Sequence, residues 1–272
     1  MNNKVLLLGC GNLGSLLVAS WMKNNFEITV LEKNKNSIKS LKKKFKRHLF
    51  ETTLDNIMIS EYSIIILCVK PIHSISLIRK VSKSINKKQI FISLVAGLET
   101  ERVKELLIKD TNIFRVMPNI LASVMSSSTA LFCREEAKNK RKIVEKLFLP
   151  LGEIIWIKDE KQFDFFTSMF GGGPAYIFYF IKTLVSITRK SGFESKLASK
   201  LVLSLLHGAS KFLEKNDEEI DSHILKVASK GGTTEEVLNY FSRKDRLYNL
   251  VSSAITKGSK KSETLRKQFS KV

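Results

Sequence analysis

Acidic residues are scarce in this chain: 26 Asp and Glu stand against 46 Lys and Arg, a formal net charge of +20 over 272 residues. A surplus of that size suits a nucleic-acid binder or a protein that attracts anionic ligands. Its distribution excludes the first. The densest run, Lys42-Lys43-Lys44-Phe45-Lys46-Arg47, has no interleaved aromatic beyond Phe45, and lysine is spread along the whole chain. The expectation is a solvated basic surface with no nucleic-acid partner. Cysteine is scarcer still. Cys10, Cys68 and Cys133 are odd in number and widely spaced, which excludes a disulfide framework and points to a reducing, cytoplasmic setting. No CxxC pair occurs, and His48, His73, His207 and His223 are scattered, so no metal site is expected. Long apolar runs are also missing. The N-terminal one, Val5 to Leu8, is too short for a signal peptide. The longest uncharged one, Phe165 to Ile181, is broken by Gly171-Gly172-Gly173-Pro174 and falls short of the ~20 residues a membrane span needs. A soluble protein without a membrane partner follows. No internal repeat or low-complexity linker appears, nor any Ser/His/Asp or Cys/His arrangement for covalent catalysis.

What is present has a clear rhythm. Val5–Leu8, Ile28–Leu31, Ile64–Val69, Ile90–Val95, Ile113–Val116, Thr129–Phe132 and Ile154–Ile157 read as strands. The first four are apolar on both faces, as buried parallel strands are. Between them, Leu13–Lys23, Ser37–Phe45, Ser74–Ile85 and Glu101–Leu107 carry helical spacing. Strands alternating with helices predict βαβ units and a doubly wound, mostly parallel sheet. After about Asp159 the strand signals stop, and 161–190, 195–214, 234–242 and 245–269 all read as helices. The fold class is therefore α/β, with a Rossmann domain over 1–158 and an all-α domain over 159–272.

Gly9-Cys10-Gly11-Asn12-Leu13-Gly14 sits between the first strand and the first helix. In that place the first glycine makes the tight turn, the second lets backbone approach a pyrophosphate, and the third packs helix on strand. The helix N-terminus then offers free N–H groups to the phosphates. A dinucleotide site is expected on these six residues. Glu32, at the end of the second strand, stands where an acidic side chain accepts from a ribose 2′-OH and favours NADH. Lys33 and Lys35 follow at once and suit a 2′-phosphate instead, so NADH and NADPH both stay open.

Six motifs occur in order along nearly the whole chain. They are the glycine loop, Val69-Lys70-Pro71, Ala96-Gly97, Arg115-Val116-Met117-Pro118-Asn119, Gly171-Gly172-Gly173-Pro174-Ala175-Tyr176 and Ser229-Lys230-Gly231-Gly232-Thr233-Thr234. In this the chain resembles the pyrroline-5-carboxylate reductases. The resemblance implies hydride transfer from NADPH or NADH to the C=N carbon of 1-pyrroline-5-carboxylate, the last step of proline biosynthesis. It implies further that the helical domain dimerises, with an active site completed near the interface. Carried over by position, Cys68, Val69, Lys70, Pro71, Ala96 and Gly97 border the cofactor. Ser229, Thr233, Thr234 and Glu160 look like substrate positions, with Thr234 holding the carboxylate and Glu160 facing the cationic ring.

The residues themselves add to this. Thr233 and Glu236 have capping-box spacing, and a helix start is also an anion site, so a plain cap and a carboxylate site compete there. The stretch Phe163–Phe180 is rich in Phe and Tyr, which predicts a homodimer or higher homo-oligomer. The chain departs from the family at Phe170 and Gly172, where serines are usual, at Lys230 for a proline, at Ser126 for a glutamate and at Asp55 for an asparagine. These departures touch substrate contacts more than the fold. Two other functions stay open: another imine or β-hydroxyacid reductase, for which Lys182 is the candidate catalytic lysine, and a non-catalytic nucleotide-binding paralogue.

Overall fold

The computed structural model describes residues 4–24, 26–45, 49–107 and 111–269. Lys46 and Arg47 of the basic run, and His48, lie outside the described residues. Among those described, eight strands form one sheet: β1 (Lys4–Leu8), β2 (Glu27–Leu31), β3 (Leu49–Glu51), β4 (Ile64–Leu67), β5 (Ile90–Ser93), β6 (Asn112–Met117), β7 (Ser127–Cys133) and β8 (Gly152–Trp156). Their order is β3-β2-β1-β4-β5-β6-β7-β8. The first six are mutually parallel. Strand β7 enters antiparallel to β6, and β8 pairs parallel with β7. The strand order reverses at β1, whose neighbours are β2 and β4, and ligands of open α/β sheets bind outside the strand ends at such a switch point.

Helices α1 (Asn12–Lys23), α2 (Lys35–Lys44), α3 (Pro71–Ser82), α4 (Thr100–Leu106) and α5 (Arg141–Phe148) connect the strands. Because strand side chains alternate, the sheet feeds two apolar layers. Val5, Leu7, Ile28, Val30 and Ile66 pack with Leu17 and Trp21 of α1 and Val144, Leu147 and Phe148 of α5. Leu6, Leu8, Ile65, Leu67 and Phe91 pack with Ile75, Ile78 and Val81 of α3 and Val103 of α4. Trp21 ties α1 to α5: its indole N–H donates to the Leu147 carbonyl at 2.8 Å, and its ring meets Phe148 edge-on at 5.9 Å. Neither β3 nor α5 is among the elements that the sequence pattern predicts. Strand β3 is three residues long, too short to show alternation, and exists through its pairing with β2. Helix α5 is eight residues with Arg141, Lys142 and Lys146 among its apolar positions.

Beyond β8 the chain is helical: α6 (Gln162–Phe166), a π-helical turn (Thr167–Gly171), α7 (Gly173–Lys190), α8 (Ser195–Glu214), α9 (Ile220–Val227), α10 (Thr233–Ser242) and α11 (Arg246–Phe269). The single helix expected over 161–190 is thus three pieces, interrupted where the glycines begin, and α9 is a helix that the sequence reading omits. Two compact units result: Met1–Gly172 together with Lys257–Val272, and Gly173–Thr256. The contact boundary therefore falls at Gly172–Gly173, later than residue 158, and the end of α11 returns to the sheet-bearing unit. The reason is local. Asp164 accepts from the Ser262 hydroxyl at 2.8 Å and from Arg266 Nε at 2.9 Å, and Arg266 also pairs with Glu99 at 3.6 Å. Gly97, at φ +78°, admits the α11 backbone: a Cβ there would lie 2.9 Å from the Arg266 nitrogen.

In the second unit α7 and α8 pack on each other across a turn at Gly192, whose φ is +96°. Glu194 caps α8 by accepting from the N–H groups of Lys196 and Leu197. Within the single chain this unit buries little, chiefly Pro174, Ala198, Val202 and His223. Tyr176, Ile177, Phe178, Tyr179 and Phe180 are all exposed, Tyr179 at 69%. An apolar face of that extent is unusual for a monomer. No described helix is long and apolar enough to cross a membrane.

Candidate active site

The glycine loop leaves β1 at the switch point. Gly9 donates its N–H to the Leu31 carbonyl at 2.8 Å and holds φ +91°; a Cβ there would lie 2.6 Å from the Cys68 carbonyl oxygen. Gly14 packs α1 against the turn, since its Cβ would stand 3.2 Å from the Gly9 carbonyl. Gly11 differs from both: beyond its chain neighbours, no atom of the described residues lies within 4 Å of where its Cβ would be. It is also the N-cap of α1 and has no side chain to close on the helix start; no acid stands in the first turn, and the Cys68 sulfur takes the Gly14 N–H. Asn12 and Leu13 open that helix, so its first N–H groups face the open cradle. This geometry fits the pyrophosphate of a dinucleotide.

Glu32 belongs to the same loop. Its Oε2 accepts from the Cys10 N–H at 2.8 Å and its Oε1 from the Asn34 N–H at 2.9 Å. Cys68 follows β4, and its sulfur lies 3.5 Å, that of Cys10 3.6 Å, from the Cβ position of Gly14. Burial, with help from Glu32 nearby, pushes both thiols up to about 12. They stay protonated at neutral pH and pack as small apolar groups. Val69 touches the Gly9 turn, Lys70 is the exposed N-cap of α3, and Pro71 is its first residue. Ala96 is half-buried after β5, whereas Gly97 serves the approach of α11 described above.

Glu160 has its own partners. Its Oε1 accepts from the Thr100 N–H at 2.9 Å and from Arg115 Nη1 at 3.2 Å, and its Oε2 from the Thr100 hydroxyl at 2.7 Å. Arg115 is 1% exposed, with Nε and Nη2 unpartnered and its guanidinium 4.4 Å from the centre of the Phe163 ring. Burial lowers its pKa, and Glu160 pulls it back up. The carboxylate thus caps α4 and neutralises a buried cation: Oε1 is filled by two donors, and Oε2 keeps one acceptor position beside the Thr100 hydroxyl.

In the second unit, the cap of α10 differs from the expected capping box. The N-cap is Gly232, and Glu235 rather than Glu236 reaches back, accepting from the Gly231 N–H at 2.7 Å. Thr233 and Thr234 are therefore the first two helical residues, and no side chain closes on the N–H groups of that first turn. The shift follows from Gly231, whose φ of +76° turns the chain into the helix one residue early. Ser229 is exposed beside the turn, its carbonyl accepting from the Gly232 N–H at 3.0 Å. Lys182 is exposed, 5.8 Å from the Tyr179 ring centre. The departure at Phe170 has a structural outlet: the ring packs on Phe166 at 4.9 Å, and its carbonyl accepts from Asn119 Nδ2 at 3.0 Å.

The functional partners absent from the sequence reading are Thr100, Asn34 and, as an ion-pair partner, Arg115. An arginine inside an apolar strand was the legible signal, because a buried charge needs a counter-charge. Among the described residues no cluster of three or more His, Cys, Asp or Glu is placed to hold a metal.

A doubly wound sheet, a glycine cradle at its switch point and an appended helical unit define a dinucleotide-binding oxidoreductase fold. Residues 4–97 match the family described as NADP oxidoreductase, coenzyme F420-dependent, and residues 160–265 match pyrroline-5-carboxylate reductase dimerisation. The pyrroline-5-carboxylate reductase of Aquifex aeolicus is 32% identical over 203 residues, covering 74% of this chain and 75% of the relative. That of Haemophilus influenzae is 28% identical over 249 residues, covering 89% and 90%. Among solved structures, 1-pyrroline-5-carboxylate reductase from Streptococcus pyogenes has a TM-score of 0.84 at 27% identity, covering 96% of this chain and 98% of that one. The chain belongs to the pyrroline-5-carboxylate reductase family.

Proposed function

We propose that this chain reduces 1-pyrroline-5-carboxylate to proline with a reduced nicotinamide dinucleotide. The observation that carries the reading is the open cradle at Gly11 over the uncapped start of α1, in a chain of this family. The nicotinamide, when bound, supplies the hydride. The protein's own work is positional. A protonated imine is already electrophilic, so holding it within about 3–3.5 Å of the donor carbon supplies much of the rate. The loop Gly9–Gly14, with Val69 and the half-buried Ala96, borders the cofactor. The start of α10, through the N–H groups of Thr233 and Thr234 and the Thr234 hydroxyl, holds the substrate carboxylate, with Ser229 alongside. Glu160 is assigned a positioning part, because its carboxylate already serves the start of α4 and the buried Arg115.

The dinucleotide-binding part is taken as 1–158 and the substrate and dimerisation part as 159–272, a division supported by the dimerisation match beginning at residue 160. The exposed aromatic face of α7 supports self-association as a homodimer or larger homo-oligomer. Three free cysteines fit a cytoplasmic setting.

Thr234→Ala tests the substrate site. Loss of a charge-assisted hydrogen bond of about 1.5–3 kcal/mol should lower kcat/KM roughly ten- to hundredfold, with cofactor affinity unchanged and Thr234→Ser largely active. A folded Thr234→Ala protein with unimpaired kinetics would make Thr234 a helix-start residue only.

A further inference from the structure

We propose that the carboxyl ends of β2 and β3 are built to reject a 2′-phosphate, so that this enzyme selects NADH over NADPH. The inference rests on the dinucleotide reading of the glycine loop and settles which of the two cofactors that loop takes.

Glu32 ends β2 beside the cradle, and its carboxylate is fixed, not free to swing. One oxygen takes the Cys10 N–H, which ties it to the glycine loop, and the other takes the Asn34 N–H. A carboxylate oxygen accepts two hydrogen bonds, so each keeps one lone pair for a ribose hydroxyl. A phosphate monoester in the same place brings about −1.5 to −2 charges and only acceptor oxygens. It would face a pinned anion with nothing to donate.

A tightly bound 2′-phosphate needs donors, and the nearest main-chain set is already used. The start of α2 would offer its first N–H groups to an anion. Here the Asn34 side chain accepts from the N–H groups of Asn36 at 2.9 Å and Ser37 at 3.2 Å. Strand β3 adds a second acid. Glu51 pairs in register with Leu31, so it stands at the same strand ends as Glu32, and its side chain accepts from Asn56 Nδ2 at 3.2 Å. This is an acidic rim in a protein whose net charge is +20. Lys33 and Lys35 oppose it, but both are exposed. Their charges on long stems attract the pyrophosphate common to both cofactors as well as any 2′-phosphate.

The test is direct binding to the full-length protein, by calorimetry with NADH and with NADPH, on the native chain, Glu32→Gln, and Lys33→Ala with Lys35→Ala. The native protein should bind NADH roughly thirtyfold more tightly, about 2 kcal/mol, between the limits for a like-charge contact in bulk water and one near a protein surface. Glu32→Gln keeps an oxygen to accept from the Cys10 N–H. It should shrink the ratio about tenfold or more by tightening NADPH. The double lysine variant should weaken both cofactors by similar factors and leave the ratio in place. Equal or tighter NADPH binding by the native protein overturns the proposal, as does an unchanged ratio in Glu32→Gln. So does selective loss of NADPH in the lysine variant. Binding of neither cofactor overturns the dinucleotide reading as well, and is told apart from equal binding of both.

Discussion

Gly11→Val is expected to weaken nicotinamide-dinucleotide binding by about a hundredfold or more, close to 2.7 kcal/mol, while the protein stays folded. The two halves of that result have separate causes. Folding survives because, beyond the chain neighbours, no atom of the described residues lies within 4 Å of the new Cβ. The remaining stability cost is that of a β-branched residue at an N-cap, about 1 kcal/mol. Binding fails because the valine methyls occupy the space that the pyrophosphate takes over the start of α1. Gly9 and Gly14 make the contrast. A Cβ at Gly9 would collide with the Cys68 backbone, and one at Gly14 would press on the Gly9 carbonyl, so substitutions there unsettle the fold itself. Calorimetric titration together with thermal unfolding checks both halves. A folded Gly11→Val protein that binds cofactor like the native chain contradicts the cradle.

Glu160→Ala is expected to cost about 3–5 kcal/mol of stability, the usual penalty for leaving a buried charge without its partner. Arg115 is 1% exposed, and Glu160 is the only carboxylate within salt-bridge distance of it among the described residues. The start of α4 loses its anion in the same substitution, since Thr100 gives both its N–H and its hydroxyl to Glu160. Replacing the pair together, Arg115→Met with Glu160→Leu, should recover most of the loss, because two apolar groups leave no stranded charge. Denaturant unfolding of the single and double variants measures this. A Glu160→Ala protein of native stability that has lost turnover would instead return Glu160 to the substrate site, where the family resemblance places it.

Much of the fold is legible in the sequence because it is written in periodicity. The mostly apolar runs at Val5–Leu8, Ile64–Leu67 and Ile90–Ser93 are buried on both faces, as parallel strands between two helical layers are. Strand β3 and helix α9 are not legible. The first is held by its neighbour in the sheet, and the second is two turns long, so neither has the length to show a pattern. The glycine loop is legible for a different reason: Gly9 and Gly14 are demanded by backbone geometry, which is local. Partnerships across the chain are not. Nothing near Glu160 in sequence announces Thr100 or Arg115, which lie 60 and 45 residues away. The reach of Glu235 to Gly231 rests on a left-handed glycine, and Thr-Thr-Glu-Glu alone reads equally well one residue out of step.

Hydride transfer to a cyclic imine leaves an isotopic record in the product. The purified protein would be given 1-pyrroline-5-carboxylate and NADH carrying deuterium at both C4 positions of the reduced nicotinamide, and the product examined by mass and NMR. The expected product is proline bearing one deuterium on the ring carbon that was doubly bonded to nitrogen, formed in step with cofactor oxidation. Cofactor that binds but is not oxidised in the presence of the imine, or proline formed without the label, would contradict it.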